Sequence, residues 1–229
     1  MKPAALGNAI RILFSALGLS FVGCSGAEDK GPALTPVATC TESFTACGGD
    51  EVGTWLMTSL CSTTPIKDLL NLALATDYPA CGQSFTDAST SISAGSAVKY
   101  DGTRYTRTGS MQTTGKMKLT PACVAAQVVG LPLTANSCSN LALVLPAMYP
   151  GTKFSCTFDD TNCNCDTSSV DSLDASGTYT KSGSAIVESS GQMNYSYCVS
   201  GNQLAQQGIL ASTTTGAIAL QAIAHLTKQ

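Results

Sequence analysis

The chain has 229 residues, twelve basic and fifteen acidic side chains, a formal charge of −3, and eleven cysteines against a single histidine. With only 12% of residues charged, no basic surface suited to nucleic acid is available. A zinc site built on several histidines is excluded, and a Ser-His-Asp or Cys-His enzyme would have to rely on His225 alone. No catalytic residue, metal ligand or cofactor is therefore assigned, and an enzyme is the least supported class.

Residues 1–23 read as an export signal. Lys2 and Arg11 supply positive charge around the start of an apolar run from Ile12 to Val22. That run is shorter than the roughly 20 apolar residues that span a bilayer. Phe21-Val-Gly-Cys24 follows and resembles the lipobox of bacterial lipoproteins, although Phe21 stands where leucine is usual. The resemblance implies diacylglycerol on the Cys24 thiol, cleavage after Gly23, and acylation of the new amino group. Ser25, rather than aspartate, after the cysteine implies sorting to the outer membrane. Several acyl chains, at about 0.8 kcal/mol per buried methylene, would make such an anchor effectively permanent. Setting Cys24 aside leaves ten of the eleven cysteines, an even number suited to five bridges in an oxidising compartment.

Residues 24–39, with two prolines after the cysteine and no apolar periodicity, read as a lipid-anchored flexible tether. A folded domain is expected over residues 40–229. Within it, Gly53-Thr-Trp55, Gly102-Thr-Arg-Tyr105 and Gly177-Thr-Tyr179 repeat one phrase, a Gly-Thr pair ahead of an aromatic. Asp101-Gly102, between the runs 97–100 and 103–107, predicts a hairpin whose two turn residues both adopt positive φ. Gln192 to Val199 alternates, placing Met193, Tyr195, Tyr197 and Val199 on one face. About eight short strands separated by turn signals predict a mainly β, antiparallel barrel or sandwich.

Two regions interrupt the β pattern. Thr64-Pro65 precedes Ile66, Leu69, Leu70, Ala73 and Leu74 at helical spacing. Thr120-Pro121 opens a second helix through Val129, and residues 137–145 form a third. These read as short helices inserted between strands and packed on the barrel. From Gly216 to Lys228 alanine favours helix, but Ile218, Leu220, Ala222, Ala224 and Leu226 alternate, and a final strand is expected.

Val52-Gly-Thr-Trp55 resembles the Gly-x-Trp first strand of lipocalin-like domains, and the later Gly-Thr-Tyr phrase and Tyr197 to Leu204 also look like phrases from that group. The resemblance implies an eight-stranded barrel whose base is closed by Trp55, with a basic side chain near the C-terminus, here Lys228, packed across it. It also makes the barrel mouth the default ligand site, with Trp55, Tyr105, Tyr179, Met193 and Tyr195 as candidates to line it. Thr76-Asp-Tyr78 matches a further lipocalin motif but lies too early in the chain.

In Phe158 to Asp166, the spacing of Asp160, Asn162, Asn164 and Asp171 imitates a calcium loop. Cys165 stands where that loop needs glycine, and a hairpin accounts for the segment better. A four-residue turn over 159–162 would set Cys156 opposite Cys165, within disulfide reach. Cys61–Cys81 and Cys123–Cys138 are expected to staple the inserted helices, and Cys198 is a candidate partner for Cys163. The partners of Cys40 and Cys47 stay open. The expected function is that of a lipid-anchored envelope protein binding a small apolar ligand. The alternative is a structural or recognition module of the cell surface without a cavity.

Overall fold

A computed structural model describes residues 34–127, 133–148, 151–189, 194–210 and 220–229. Cys24, the expected export signal and Met193 lie outside them. The chain forms two compact units, one from Pro65–Thr90 and Gln112–Val170, the other from Ser91–Met111 and Asp171–Gln229 together with residues 34–64. The unit boundaries fall inside three strands, β4 (Phe85–Ser93), β7 (Ser110–Leu119) and β9 (Cys163–Ser172).

The second unit contains the barrel. Its strands are β3 (Gly53–Ser62), β5 (Ala97–Tyr100), β6 (Arg104–Thr108), β10 (Ala175–Ser182), β11 (Ala185–Glu188), β12 (Asn194–Ser200), β13 (Gln203–Leu210) and β14 (Leu220–Lys228). Each pairs antiparallel with the next in chain order, and β14 returns to pair with β3. Closure leaves no open edge among these eight strands. The hairpins after β5, β10 and β12 are tight and share one end of the barrel, while the connections leaving β3 and β6 at the other end are long insertions. Leu220–Lys228 of the ambiguous C-terminal segment is a strand because β13 and β3 satisfy its backbone on both sides, while residues 216–219, with Ile218, lie outside the described residues.

Alternation decides which side chains meet inside. Trp55, Val98, Tyr100, Tyr105, Tyr179, Ile186, Tyr197, Leu204 and Leu226 form one buried cluster. The three aromatics that follow a Gly-Thr pair are all in it. The hairpin after β5 departs from expectation, since only Gly102 (φ +98°) has positive φ. Asp101 instead stays on the β5 side, its Oδ1 accepting from the Thr103 and Arg104 amides, so the turn centres one residue later.

Among the described residues the first unit carries three α-helices, α1 (Ile66–Asp77), α2 (Pro121–Gln127) and α3 (Ala135–Met148), with β8 (Thr152–Phe158) and most of β4, β7 and β9. These strands lie in a separate five-stranded sheet, ordered β1-β4-β7-β9-β8, where β1 is Leu34–Pro36. Leu69, Leu70, Ala73 and Leu74 of α1 are buried at the predicted spacing. Asn71, on the same helix, exchanges two hydrogen bonds with the Phe85 backbone and so stands in for a strand partner where β4 begins. The helices thus belong to a unit with its own sheet and do not simply decorate a barrel.

The N-terminal expectation also needs correction. Residues 34–36 pair with β4, and β2 (Ala38–Thr39) runs parallel to β3, so order begins ahead of Cys40. Main-chain pairing also redraws the bridges. The five are Cys40–Cys61, Cys47–Cys198, Cys81–Cys123, Cys138–Cys163 and Cys156–Cys165. Only Cys156–Cys165 agrees with the sequence reading, and the two residues are directly opposed in the β8–β9 hairpin. The expected Cys61–Cys81 pair fails because β2 and the Cys40 amide, bonded to the Ser62 carbonyl at 2.9 Å, bring Cys40 beside Cys61. Cys81, in the tight turn after α1, is joined to α2, so Cys123 is not available to Cys138. Cys198 is taken by Cys47, whose amide and that of Gly48 both donate to the Tyr197 carbonyl. All five bridges lie within a unit.

The Cys47–Cys198 bridge closes a loop of 151 residues. Replacing both cysteines by serine is expected to lower stability by about 2–5 kcal/mol, read from guanidinium unfolding without reductant.

Candidate functional site: the barrel interior

At the end with the tight hairpins, the segment before β3 runs from β12, where Gly48 bridges Cys198, to the start of β3. Glu51 is almost wholly buried there. Its carbonyl accepts from Trp55 Nε1 at 2.7 Å, while its carboxylate accepts from Tyr179 at 2.9 Å and from Lys181 Nζ at 2.7 Å. Tyr197 donates to the Gly49 carbonyl at 3.1 Å. Lys228 pairs with Trp55 across β14 and β3, and its Nζ lies 5.3 Å from the indole centroid. Gly53 makes this possible, since a Cβ at its φ of +144° would sit 2.7 Å from Lys228 Cε. The glycine of Gly-x-Trp is thus the space through which the lysine stem passes.

Farther in, Gln206 Nε2 donates to the Tyr100 hydroxyl at 2.9 Å. The two residues sit on β13 and β5, which β14 and β3 separate along the wall, so this bond reaches across the lumen. Tyr100 also meets Tyr179 edge to face, ring centroids 5.0 Å apart. Next to them Arg107 Nη2 donates to Glu188 Oε1 at 2.5 Å and to the Tyr195 hydroxyl at 2.8 Å. The guanidinium lies 5.7 and 5.6 Å from the Tyr105 and Tyr195 ring centroids. Glycines opposite these rings make room for them: a Cβ on Gly177 would lie 3.0 Å from Tyr105, and one on Gly208 3.1 Å from Tyr195.

These surroundings set the protonation states. Burial pushes Tyr100 up to about 12, against the Gln206 hydrogen bond, and burial raises Tyr179 and Tyr195 further. Burial also raises Glu188, with the Arg107 charge opposing it. For Glu51, burial acts upward, but the hydrogen bonds from Lys181 and Tyr179 outweigh it and hold the carboxyl below its ordinary value. At neutral pH the interior tyrosines therefore keep their hydroxyl protons, Tyr179 donating to Glu51 while Tyr100 and Tyr195 accept from Gln206 and Arg107, and the Arg107 charge faces Glu188.

Of the residues singled out from the sequence, Trp55, Tyr105, Tyr179 and Tyr195 meet in this interior, and Lys228 packs on Trp55. Arg107, Glu188, Glu51, Lys181 and Gln206 were missed. Their signal was present as position: Arg107 is two residues from Tyr105 and Glu188 two from Ile186, so each shares a face with a core residue. His225 Nε2 donates to the Glu42 carboxylate at 2.6 Å, outside this cluster. The calcium-like segment is a hairpin turn in which Asp159 accepts from the Thr161 and Asn162 amides and the Asn164 side chain. These N–H donors hold Asp159 down to about 2, the Asn164 bond contributing most. Donors aimed at one carboxylate are the reverse of a cation cage, which needs converging oxygens.

No protein-family model, curated protein or solved structure matches the chain. The class the geometry defines is a closed eight-stranded antiparallel barrel with a polar, tyrosine-rich interior.

Two outcomes follow. Glu188→Ala leaves the Arg107 charge buried without its carboxylate and is expected to cost about 3–5 kcal/mol, measured by urea unfolding at neutral pH. Glu51 has a lowered folded pKa, so its contribution is complete above the ordinary carboxylate value of 4.5 and is lost as pH falls through the folded value. The stability gap between the native protein and Glu51→Gln should therefore be wide at pH 7 and narrow in strong acid, as read from unfolding curves at the two pH values.

Proposed function

We propose that this chain is an exported lipoprotein, held on the outer membrane by acyl chains on Cys24, whose barrel is an internally braced module for structure or recognition at the cell surface. The observation that carries the reading is the hydrogen bond from Gln206 to Tyr100 across the lumen, with the Arg107–Glu188 pair beside it. A bulky apolar ligand entering that level would break a buried hydrogen bond and press against a desolvated ion pair, costs that apolar contact does not offset. The lipid-anchor half rests on the apolar run and lipobox-like Phe21-Val-Gly-Cys24. Leu34, the first of the described residues and paired with β4, is ten positions beyond Cys24, a reach of at most about 36 Å when extended. The folded part would then stand close to the lipid surface.

The carrier reading keeps one support: Tyr195 and Met57 are only half-buried and adjoin the core cluster. They could accept a small molecule with a polar end in the part of the lumen away from Trp55.

Two measurements test this proposal. Cys24→Ser should move the protein from the membrane fraction to the soluble one, with loss of the acyl mass from the intact protein. Native mass spectrometry of the full chain in mild detergent, challenged with a long-chain fatty acid, should show no stable one-to-one adduct. A retained adduct would replace the filled-barrel reading with the carrier.

A further inference from the structure

Four cysteines of the first unit make two bridges that lie almost against each other. Cys163 and Cys165, two residues apart on β9, both turn inward, and their Sγ atoms are 3.8 Å apart. The Sγ atoms of Cys156, Cys163 and Cys165 all fall within 4.8 Å of one another. Cys138 on α3 is joined to Cys163, and Cys156 on β8 to Cys165. Access is unequal: Cys138 is 1% exposed, Cys163 0% and Cys165 2%, while Cys156 is only half-buried. Of the four residues, only Cys156 is exposed enough for a thiol in water to approach it.

We infer that Cys156 is a thiol-exchange site, and that attack there by a small thiol is relayed through Cys165 to open the buried Cys138–Cys163 bridge. An external thiolate bonds to Cys156 Sγ, the Cys156–Cys165 bond breaks, and its electron pair leaves on Cys165 as a thiolate. That thiolate then attacks Cys163 Sγ at 3.8 Å. A Cys163–Cys165 bond forms, the Cys138–Cys163 bond breaks, and Cys138 leaves as a thiolate that takes a proton from water. No net oxidation or reduction occurs within the protein beyond the one thiol consumed as a mixed disulfide on Cys156. Exchange of this kind needs only a thiolate, a disulfide sulfur and access.

The consequence is directional. Cys156–Cys165 spans nine residues of a hairpin already held by main-chain pairing, whereas Cys138–Cys163 is the covalent link between α3 and the sheet. A modification at the expendable bridge is thereby passed to the one that fastens the helix. This inference does not depend on membrane attachment.

The test uses the full chain under native conditions with glutathione as the thiol, acid quenching, iodoacetamide labelling and peptide mapping. The expected product carries glutathione on Cys156 and the alkyl label on Cys138 in the same molecule, with the Cys163 and Cys165 peptide internally bridged. Label on Cys165 with Cys138–Cys163 intact would overturn the relay. So would opening of Cys138–Cys163 while Cys156–Cys165 persists. In Cys156→Ala/Cys165→Ala, the remaining bridge should be reduced at least about tenfold more slowly than in the native protein, because its sulfurs are then reached only by local opening. An unchanged rate would also overturn the relay, and if that variant fails to fold, the map of the native protein decides alone.

Discussion

The barrel depends on the pairing of its last strand with its first. Until β14 lies against β3, the first strand has an open edge and the indole of Trp55 lacks Lys228 across its face. The partners are residues 55 and 228, near opposite ends of the described chain, so the contact that closes the barrel is strongly non-local. Pairing across so long a separation is costly in loop entropy. The same region concentrates other restraints: the Glu51 hydrogen bonds, the Gly53 passage for the lysine stem, and the Cys47–Cys198 bridge to β12.

The interior obeys a second constraint, that polar atoms taken out of water must find partners. A lumen lined by tyrosines is apolar in bulk but has a hydroxyl on every ring. Tyr100, Tyr179, Tyr195 and Tyr197 are bonded to Gln206, Glu51, Arg107 and the Gly49 carbonyl, respectively. Glycine at 177 and 208 supplies the room that lets the rings lie flat on the opposing strands. Such a network specifies one arrangement of side chains closely, because a misplaced ring strands a hydroxyl as well as leaving a void.

Much of the barrel could be read from the sequence because its signals are local. Three Gly-Thr-aromatic phrases and the alternation around Tyr195 and Tyr197 mark inward faces directly. Arg107 and Glu188 were hidden by their chemistry, since a charge in a strand is ordinarily a surface residue and only its register with Tyr105 and Ile186 places it inside. The first unit was hidden by composition. Its strands β4 and β7 are rich in serine and threonine, so they read as turns or polar edges, and their partners are set by sheet order. Disulfide pairing failed for the same reason. Cys156 and Cys165 face each other across a short hairpin, a local relation, whereas Cys40 and Cys61 become neighbours only through a parallel pairing of β2 that no spacing announces.

The Cys40–Cys61 bridge has a mechanical consequence. A pull on the N-terminus can peel β1 from β4 and β2 from β3, one residue at a time, because each pairing is only two or three residues long. The tension then meets a covalent bond that hands the load straight to the far end of the first barrel strand. The twenty residues between Cys40 and Cys61, which include Glu51 and Trp55, form a loop shielded from that load. Traction from the N-terminal side would thus strip β1 and β2 while sparing the seal at the end of the barrel near Trp55.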